Sequence, residues 1–305
     1  MKARRSVGRS WQASIALVLA LWAASGIVYA QALKLEPGAP AGDLARMIVA
    51  EGAPTAAKDG MRFPGWIEGF QPDKLDHARL RLSPGFCASA DGRDLTAATA
   101  PLVIDLDKVG ALGRDAQDLH AATDYFIYIL RHAETGEASA VVSGANTYGG
   151  VAVPEGYRIV RKLRFGFVYD VARWGGIPDF HVAHWPSPFV SFTAFEDDPR
   201  WDALTSGDAT TFTRISLAGY LPDNARLARV QVVVRSSGQP GSAYVRSWGG
   251  QQSGILAGVA NATGPTETIQ VFDIRVNSRR ELEYRVTGGA RLTVKVMGYS
   301  MTEPS

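Results

Sequence analysis

The chain has 305 residues, 46% of them hydrophobic, with 32 Lys and Arg against 30 Asp and Glu and a formal net charge of +2. That length exceeds the ~100–200 residues of one domain and provides for two cores, while the near-balance of charge removes the electrostatic drive that a nucleic-acid partner would need. The single cysteine, Cys87, excludes an intrachain disulfide or a thiolate metal cluster and reads as a small buried hydrophobe.

Lys2, Arg4, Arg5 and Arg9 precede an apolar run over 15–24, and Val28-Tyr29-Ala30 sets small side chains where a signal peptidase reads. Residues 1–30 are therefore expected to be a secretion signal cut near Ala30. The mature chain would then start at Gln31 and fold in the periplasm or outside the cell. Left uncut, residues 13–30 are about long enough to anchor in a bilayer. Residues 31–62, rich in Ala, Gly and Pro, read as a linker or short arm with one helix over 44–50 capped by Asp43.

From Phe63 onward the signals are those of strands and turns. Phe63-Pro64-Gly65-Trp66 is a turn, and in 78–82 Leu80 and Leu82 alternate with Arg79 and Arg81. Ser83-Pro84-Gly85 turns the chain into 86–89, and 101–106 is a further strand. Residues 107–120, interrupted by Gly110 and Gly113, read as a loop or short helix. Every position of 125–130 is apolar or aromatic, so both faces of that strand must be covered. Its hairpin partner is 138–143, after the turn Glu134-Thr135-Gly136-Glu137. The strand that follows sets Tyr157, Ile159, Leu163, Phe165, Phe167 and Tyr169 against Arg158, Lys162, Arg164 and Asp170, the two-residue period of a half-buried strand.

Trp174-Gly175-Gly176-Ile177-Pro178 interrupts the pattern and is the expected boundary between one domain over 63–173 and another over 174–305. Extended runs follow at 180–185, 189–195, 212–217, 227–235, 243–248, 267–276, 281–286 and 291–299. In three of them one core face is plain: Val230, Val232 and Val234; Leu282, Tyr284 and Val286; Leu292, Val294 and Val296. Between Val271 and Phe272 the apolar phase slips by one residue, which predicts a bulge or bend. Short strands without any helix long enough to cover a parallel sheet predict an all-β fold. Its two domains are expected to be jelly-roll-like β-sandwiches, following the signal peptide and linker.

The strand at Tyr125 to Ile129, its polar turn, the Ala/Val strand ending at Ser143, and Pro154-Glu155-Gly156-Tyr157 leading into Arg161-Lys162 together resemble a module of bacteriophage tail-fibre and tail-appendage proteins. Residues 78–106 resemble that module's first strands, and the C-terminal strands resemble the β-sandwich that commonly follows, so the likeness spans most of 63–305 at the level of pattern. It implies a non-enzymatic structural or adhesion protein working as a homo-oligomer, often a trimer. The secretion signal is foreign to a virion part assembled in the cytoplasm and favours a secreted relative.

No catalytic set stands out. His181 and His184 would chelate a metal on a helix, but Phe180, Val182 and Trp185 argue for extended chain, which sends the two imidazoles to opposite faces. No cofactor is expected, and Glu196-Asp197-Asp198 is the one place where carboxylates could hold Ca²⁺ or act as an acid–base pair. Ser143-Gly144 lacks the Gly-x-Ser-x-Gly frame, and Tyr148-Gly149-Gly150 lacks the ending of a phosphate loop. Arg158, Lys162 and Arg164 read as a solvated basic stripe, and Asn261-Ala262-Thr263 fits a glycosylation sequon.

The remaining candidates are aromatic planes, which stack on sugars or fill cores and interfaces. They are Trp174, Trp185, Trp201, Trp248, Tyr148, Tyr220 and Tyr244. Trp248, Tyr244 and Trp201 are the expected ligand-contacting residues, with Trp248 placed best because it ends a strand at Gly249-Gly250. A cell-surface glycan or envelope component is the expected partner. The alternative reading is a secreted carbohydrate-active enzyme or carbohydrate-binding module.

Overall fold

Short alternating runs near Trp66 give short strands. The computed structural model describes residues 65–115, 123–183, 189–193, 198–250, 254–260 and 264–301, all within the contact unit Ala45–Ser305. The expected signal peptide and arm lie outside the described residues. β1 (Ile67–Gly69), β2 (Pro72–Lys74), β3 (Arg79–Leu82), β4 (Gly85–Ala88), β5 (Leu95–Ala98) and β6 (Leu102–Asp105) form two antiparallel sheets, ordered β1-β4-β5 and β2-β3-β6. Leu80 and Leu82 are buried, while Arg79 and Arg81 face outward and pair with Asp76 and Asp73. A Cβ on Gly69 would stand 2.1 Å from the Pro84 carbonyl oxygen, so this close approach of two backbones requires glycine.

β7 (Gly113–Arg114), β8 (Thr123–His132), β9 (Ala138–Ser143) and β10 (Tyr157–Tyr169) make the next sheet, ordered β10-β8-β9-β7. The two-residue β7 pairs in parallel with β9 where the sequence predicted loop or helix. β8 is covered on both faces, as its composition demanded: Tyr125, Ile127 and Ile129 enter the main core, while Phe126, Tyr128 and Leu130 join Val141 and Val151 in a second cluster. One turn of helix, α1 (Val171–Trp174), follows. The Asp170 carboxylate caps it by accepting from the Arg173 amide, and Gly175 ends it at φ 72°.

β11 (Phe180–Ala183), β12 (Phe189–Phe192), β13 (Asp202–Gly207), β14 (Thr213–Ser216), β15 (Leu227–Ser247), β16 (Ile255–Ala260), β17 (Pro265–Arg275) and β18 (Glu281–Ser300) form one continuous sheet. β15 and β18, 21 and 20 residues long, are its frame. The sequence divided each into two strands. Instead, the turn-rich 237–240 forms a large bulge opposite Gly289, between the pairs Ser236–Ala290 and Gly241–Gly288. The bulge switches the inward parity from Ala228, Val230, Val232 and Val234 to Ala243 and Val245. All six share one core with Leu282, Tyr284, Val286, Leu292, Val294 and Val296, so the ribbon folds over on itself. The half at 227–236 carries β17, β12 and β13; the other carries β16 and β14. These are the two layers of a β-sandwich.

β17 pairs with β15 from Pro265–Ser237 to Arg275–Leu227 with no register shift, so the expected bend near Val271 is absent. Phe272, Ile274 and Val276 face the core, and the slip in pattern instead leaves Ile269 and Val271 outside, 53% and 50% exposed. The core runs continuously past Trp174: Phe165 of β10, Phe180 of β11 and Tyr299 of β18 belong to one cluster, and the Tyr299 hydroxyl donates to the Gly166 carbonyl.

Candidate ligand-binding face

Past the bulge, β15 sends its odd residues inward, which leaves Tyr244 and Arg246 on the outer face with Trp248 just beyond the strand. Tyr244 stands opposite Leu256 on β16 and Arg285 on β18. Arg246 stands opposite Glu283, which on its other side faces Arg214 of β14. Phe212 enters this face from the residue before β14. Rings and guanidiniums interleave. The guanidinium carbon of Arg214 lies 4.7 Å from the Trp248 ring centre, and that of Arg246 lies 3.6 Å from Phe212. Arg285 lies 4.9 Å from Phe212 and 4.8 Å from Tyr244. Each such contact contributes about 0.5–1 kcal/mol at an exposed site.

The charges are unevenly neutralised. Arg246 pairs with Glu283 at 2.6 Å. Arg214 and Arg285 have no carboxylate partner among the described residues, and the Arg285 Nε is buried without a hydrogen bond. A guanidinium lying over a ring still carries N–H donors that the ring does not satisfy. Beside it, the aromatic and Leu256 surfaces suit the apolar face of a sugar ring. The arrangement therefore sets two guanidiniums without a carboxylate partner among the described residues beside apolar ring surfaces.

Trp248 and Tyr244 thus share one face, but Trp201 does not. It is 3% exposed and held between Trp174 at 3.9 Å and Phe192 at 4.2 Å, ring centre to ring centre. Tyr220 closes the same stack, donating its hydroxyl to the Asp202 carbonyl at 2.7 Å under the Arg173 guanidinium. Tyr148 is half exposed, packs edge-on against Tyr128 and accepts from the Lys162 amide.

His181 is exposed on β11, while His184, Trp185, Glu196, Asp197 and the 261–263 sequon lie outside the described residues. Asp198 caps the turn Pro199–Trp201 and pairs with the Arg200 guanidinium at 2.7 Å, which holds its carboxyl below the usual range. The buried Ser143 hydroxyl donates to the buried Asp115 carboxylate. No group of three His, Cys, Asp or Glu suited to a metal occurs among the described residues.

The basic stripe on β10 is only partly solvated. Arg158 pairs with Asp94 at 2.6 Å. The Lys162 ammonium donates to the Asn146 carbonyl and side-chain oxygens and lies 3.9 Å over the Phe126 ring. Burial, opposed by Asp223, draws its pKa down to about 8.

Sequence reasoning missed Phe212, Arg214, Arg246 and Arg285. The available signal was parity: Arg246 is two residues from both Tyr244 and Trp248, and Arg285 lies on the charged face of its own strand.

No family model matches the chain, and no curated protein matches it. Among solved structures it is similar to a tryptic core variant of the Bacillus thuringiensis toxin Cry1Da, at 9% identity and a TM-score of 0.20, over 80% of this chain and 54% of that one. The chain thus spans about half the length of that toxin core. It is also similar to a chain of the empty cowpea mosaic virus particle, at 10% identity and a TM-score of 0.16, over 63% of this chain and 93% of that one. For a chain of infectious bursal disease virus, strain Gx, identity is 8%, the TM-score 0.16, and the coverage 78% and 73%. These are weak likenesses to viral capsid and toxin β-sandwiches, and they carry no inference about what the chain binds.

Proposed function

We propose that the protein is a secreted, non-enzymatic β-sandwich that binds an anionic glycan and self-associates. The observation that carries the binding reading is the outer face of Phe212, Arg214, Tyr244, Arg246, Trp248 and Arg285, where two guanidiniums have no carboxylate partner among the described residues. Rings supply sugar stacking, and arginines supply selection for carboxylate or sulfate. Calorimetric titration with a polyuronate, a sulfated polysaccharide and a neutral glucan tests it. Binding to the charged polymers should weaken about tenfold or more in Arg214→Gln/Arg285→Gln, an amount equal to ~1.4 kcal/mol. Equal binding of the neutral glucan, or no loss in the variant with its circular dichroism intact, would sink the reading.

Self-association is supported by β17, which bonds to β15 along one edge and to no described strand along the other. Ile269 and Val271 stand exposed there between the ion pairs Arg235–Glu267 and Arg229–Asp273. Antiparallel pairing of two copies about Val271 would set Glu267 of each opposite Arg275 of the other, a self-complementary edge. Light scattering after size exclusion should find a multimer that Ile269→Lys/Val271→Lys dissociates. A wild-type monomer at every concentration tested removes the idea.

A further inference from the structure

Gly65, Ile67, Arg161, Lys162 and Arg164 surround a cavity of about 140 Å³ beside β10. Among the described residues its charged lining is wholly cationic. The Lys162 ammonium is committed to Asn146 and Phe126, and the neighbouring Arg158 is neutralised by Asp94. The guanidiniums of Arg161 and Arg164 have no ion pair or hydrogen bond among the described residues, so their donors remain.

Two backbone features build the site. Residues three apart on a regular strand face opposite sides. β10 is irregular here, with register shifts against β8 between Ile159 and Arg161 and again between Lys162 and Gly166, and this lets Arg161 and Arg164 line one cavity. On the facing side, Gly65 has φ +67°, and Nη1 of Arg161 lies 3.1 Å from where its Cβ would stand. A side chain there would be strained in the backbone and would crowd the guanidinium, so glycine both makes the turn and seats the arginine.

We propose that this cavity binds a tetrahedral oxyanion, phosphate or sulfate, through Arg161 and Arg164, either as the free ion or as an ester group on a larger molecule. The volume is far above the ~10–15 Å³ that one water needs. Arginine forks match two oxygens of such an anion. The site stands apart from the ring-and-guanidinium face and does not depend on the glycan reading.

The full chain would be titrated with sodium sulfate, sodium phosphate, glucose 6-sulfate and glucose 6-phosphate at constant ionic strength set with chloride, followed by thermal unfolding and calorimetry. Saturable binding is expected, weakened at least about fivefold in Arg161→Gln and in Arg164→Gln, and unchanged in Arg158→Gln, which removes a charge of the same strand that Asp94 already satisfies. If Arg161→Gln fails to fold, the exposed Arg164 carries the test. Tighter binding of a sugar ester than of the inorganic ion assigns the site to a group on a larger ligand, and the reverse assigns it to the free ion. A response that does not saturate, or one equal in wild type and Arg164→Gln, overturns the proposal.

Discussion

Replacing Arg280 with Met tests a mostly buried ion pair that joins distant segments of the fold. Arg280 precedes β18 at φ 59°. Its Nη1 donates to the two Asp124 oxygens at 2.8 and 2.7 Å and to the Leu221 carbonyl at 2.8 Å. Asp124 lies at the start of β8 and also accepts from the Asp223 amide at 3.1 Å, so one guanidinium ties β8 to the loop after β14 and to the start of β18. The two side chains are only 18% and 17% exposed. Met keeps the stem and removes the charge, leaving a mostly buried carboxylate with one amide donor. Losing one partner of a buried pair costs ~3–5 kcal/mol, and the remaining solvent access reduces this to about 2–3 kcal/mol. Urea denaturation followed by tryptophan fluorescence reads the loss directly.

The pH dependence fixes the cause. Burial raises the Asp124 carboxyl above its ordinary value, against the opposing pull of Arg280. A raised carboxyl contributes most to stability below its unfolded pKa, and that contribution is lost as pH rises through the folded value. Without Arg280 the folded value climbs further, so the penalty should be larger at neutral pH and shrink as pH falls and the acid becomes neutral. A loss under about 1 kcal/mol at neutral pH, or one that does not change with pH, refutes the electrostatic account. Asp124→Asn added to Arg280→Met should recover part of the loss.

Trp201→Ala should cost about 3–5 kcal/mol in the same denaturation experiment, because it empties the stack between Trp174 and Phe192; glycan binding measured below the unfolding transition should be unchanged. The Lys162 pKa lies at about 8 against an ordinary 10.5, so the folded state releases this proton first and stability should rise between those values. After allowance for solvent screening the gain is about 1 kcal/mol, read as the difference between wild type and Lys162→Met across that range. Cys87 is buried and its thiol is pushed up to about 12, so a maleimide should label it only on unfolding, and labelling of the native chain at neutral pH would contradict the burial.

Elements whose burial follows from local alternation were legible in the sequence. Leu80 and Leu82, the doubly covered 125–130, and the valines of 230–234 all stand where period and composition put them. Residues whose fate depends on distant partners were not. Ser236-Ser237-Gly238-Gln239-Pro240-Gly241 reads as a reversal, yet β18 stays paired on both sides of it and makes it a bulge. Trp201 and Trp248 are chemically alike, and the approach of Trp174, Phe192 and Tyr220 helps to bury the first. The slip at Val271–Phe272 looked like a bend because an apolar outer face was not anticipated; β17 stays regular and exposes Ile269 and Val271 instead.

The two outer faces of the C-terminal sandwich differ in how their arginines are neutralised. On the β17 side, Arg229 and Arg235 are each matched across the strand pair by Asp273 and Glu267, with Arg229–Asp273 a two-bonded fork at 2.7 Å. On the same layer Lys295 is matched by Asp202 at 3.0 Å. These three charges are paired, and Ile269 and Val271 stand exposed beside them. On the β14 and β16 side, Arg246 alone has its carboxylate, while Arg214 and Arg285 are held by rings that cannot neutralise them. Cation–π support of about 0.5–1 kcal/mol keeps a guanidinium in place without satisfying its N–H edge. The difference between the faces is therefore one of neutralisation rather than of arginine content, and the anion-binding proposal rests on that difference.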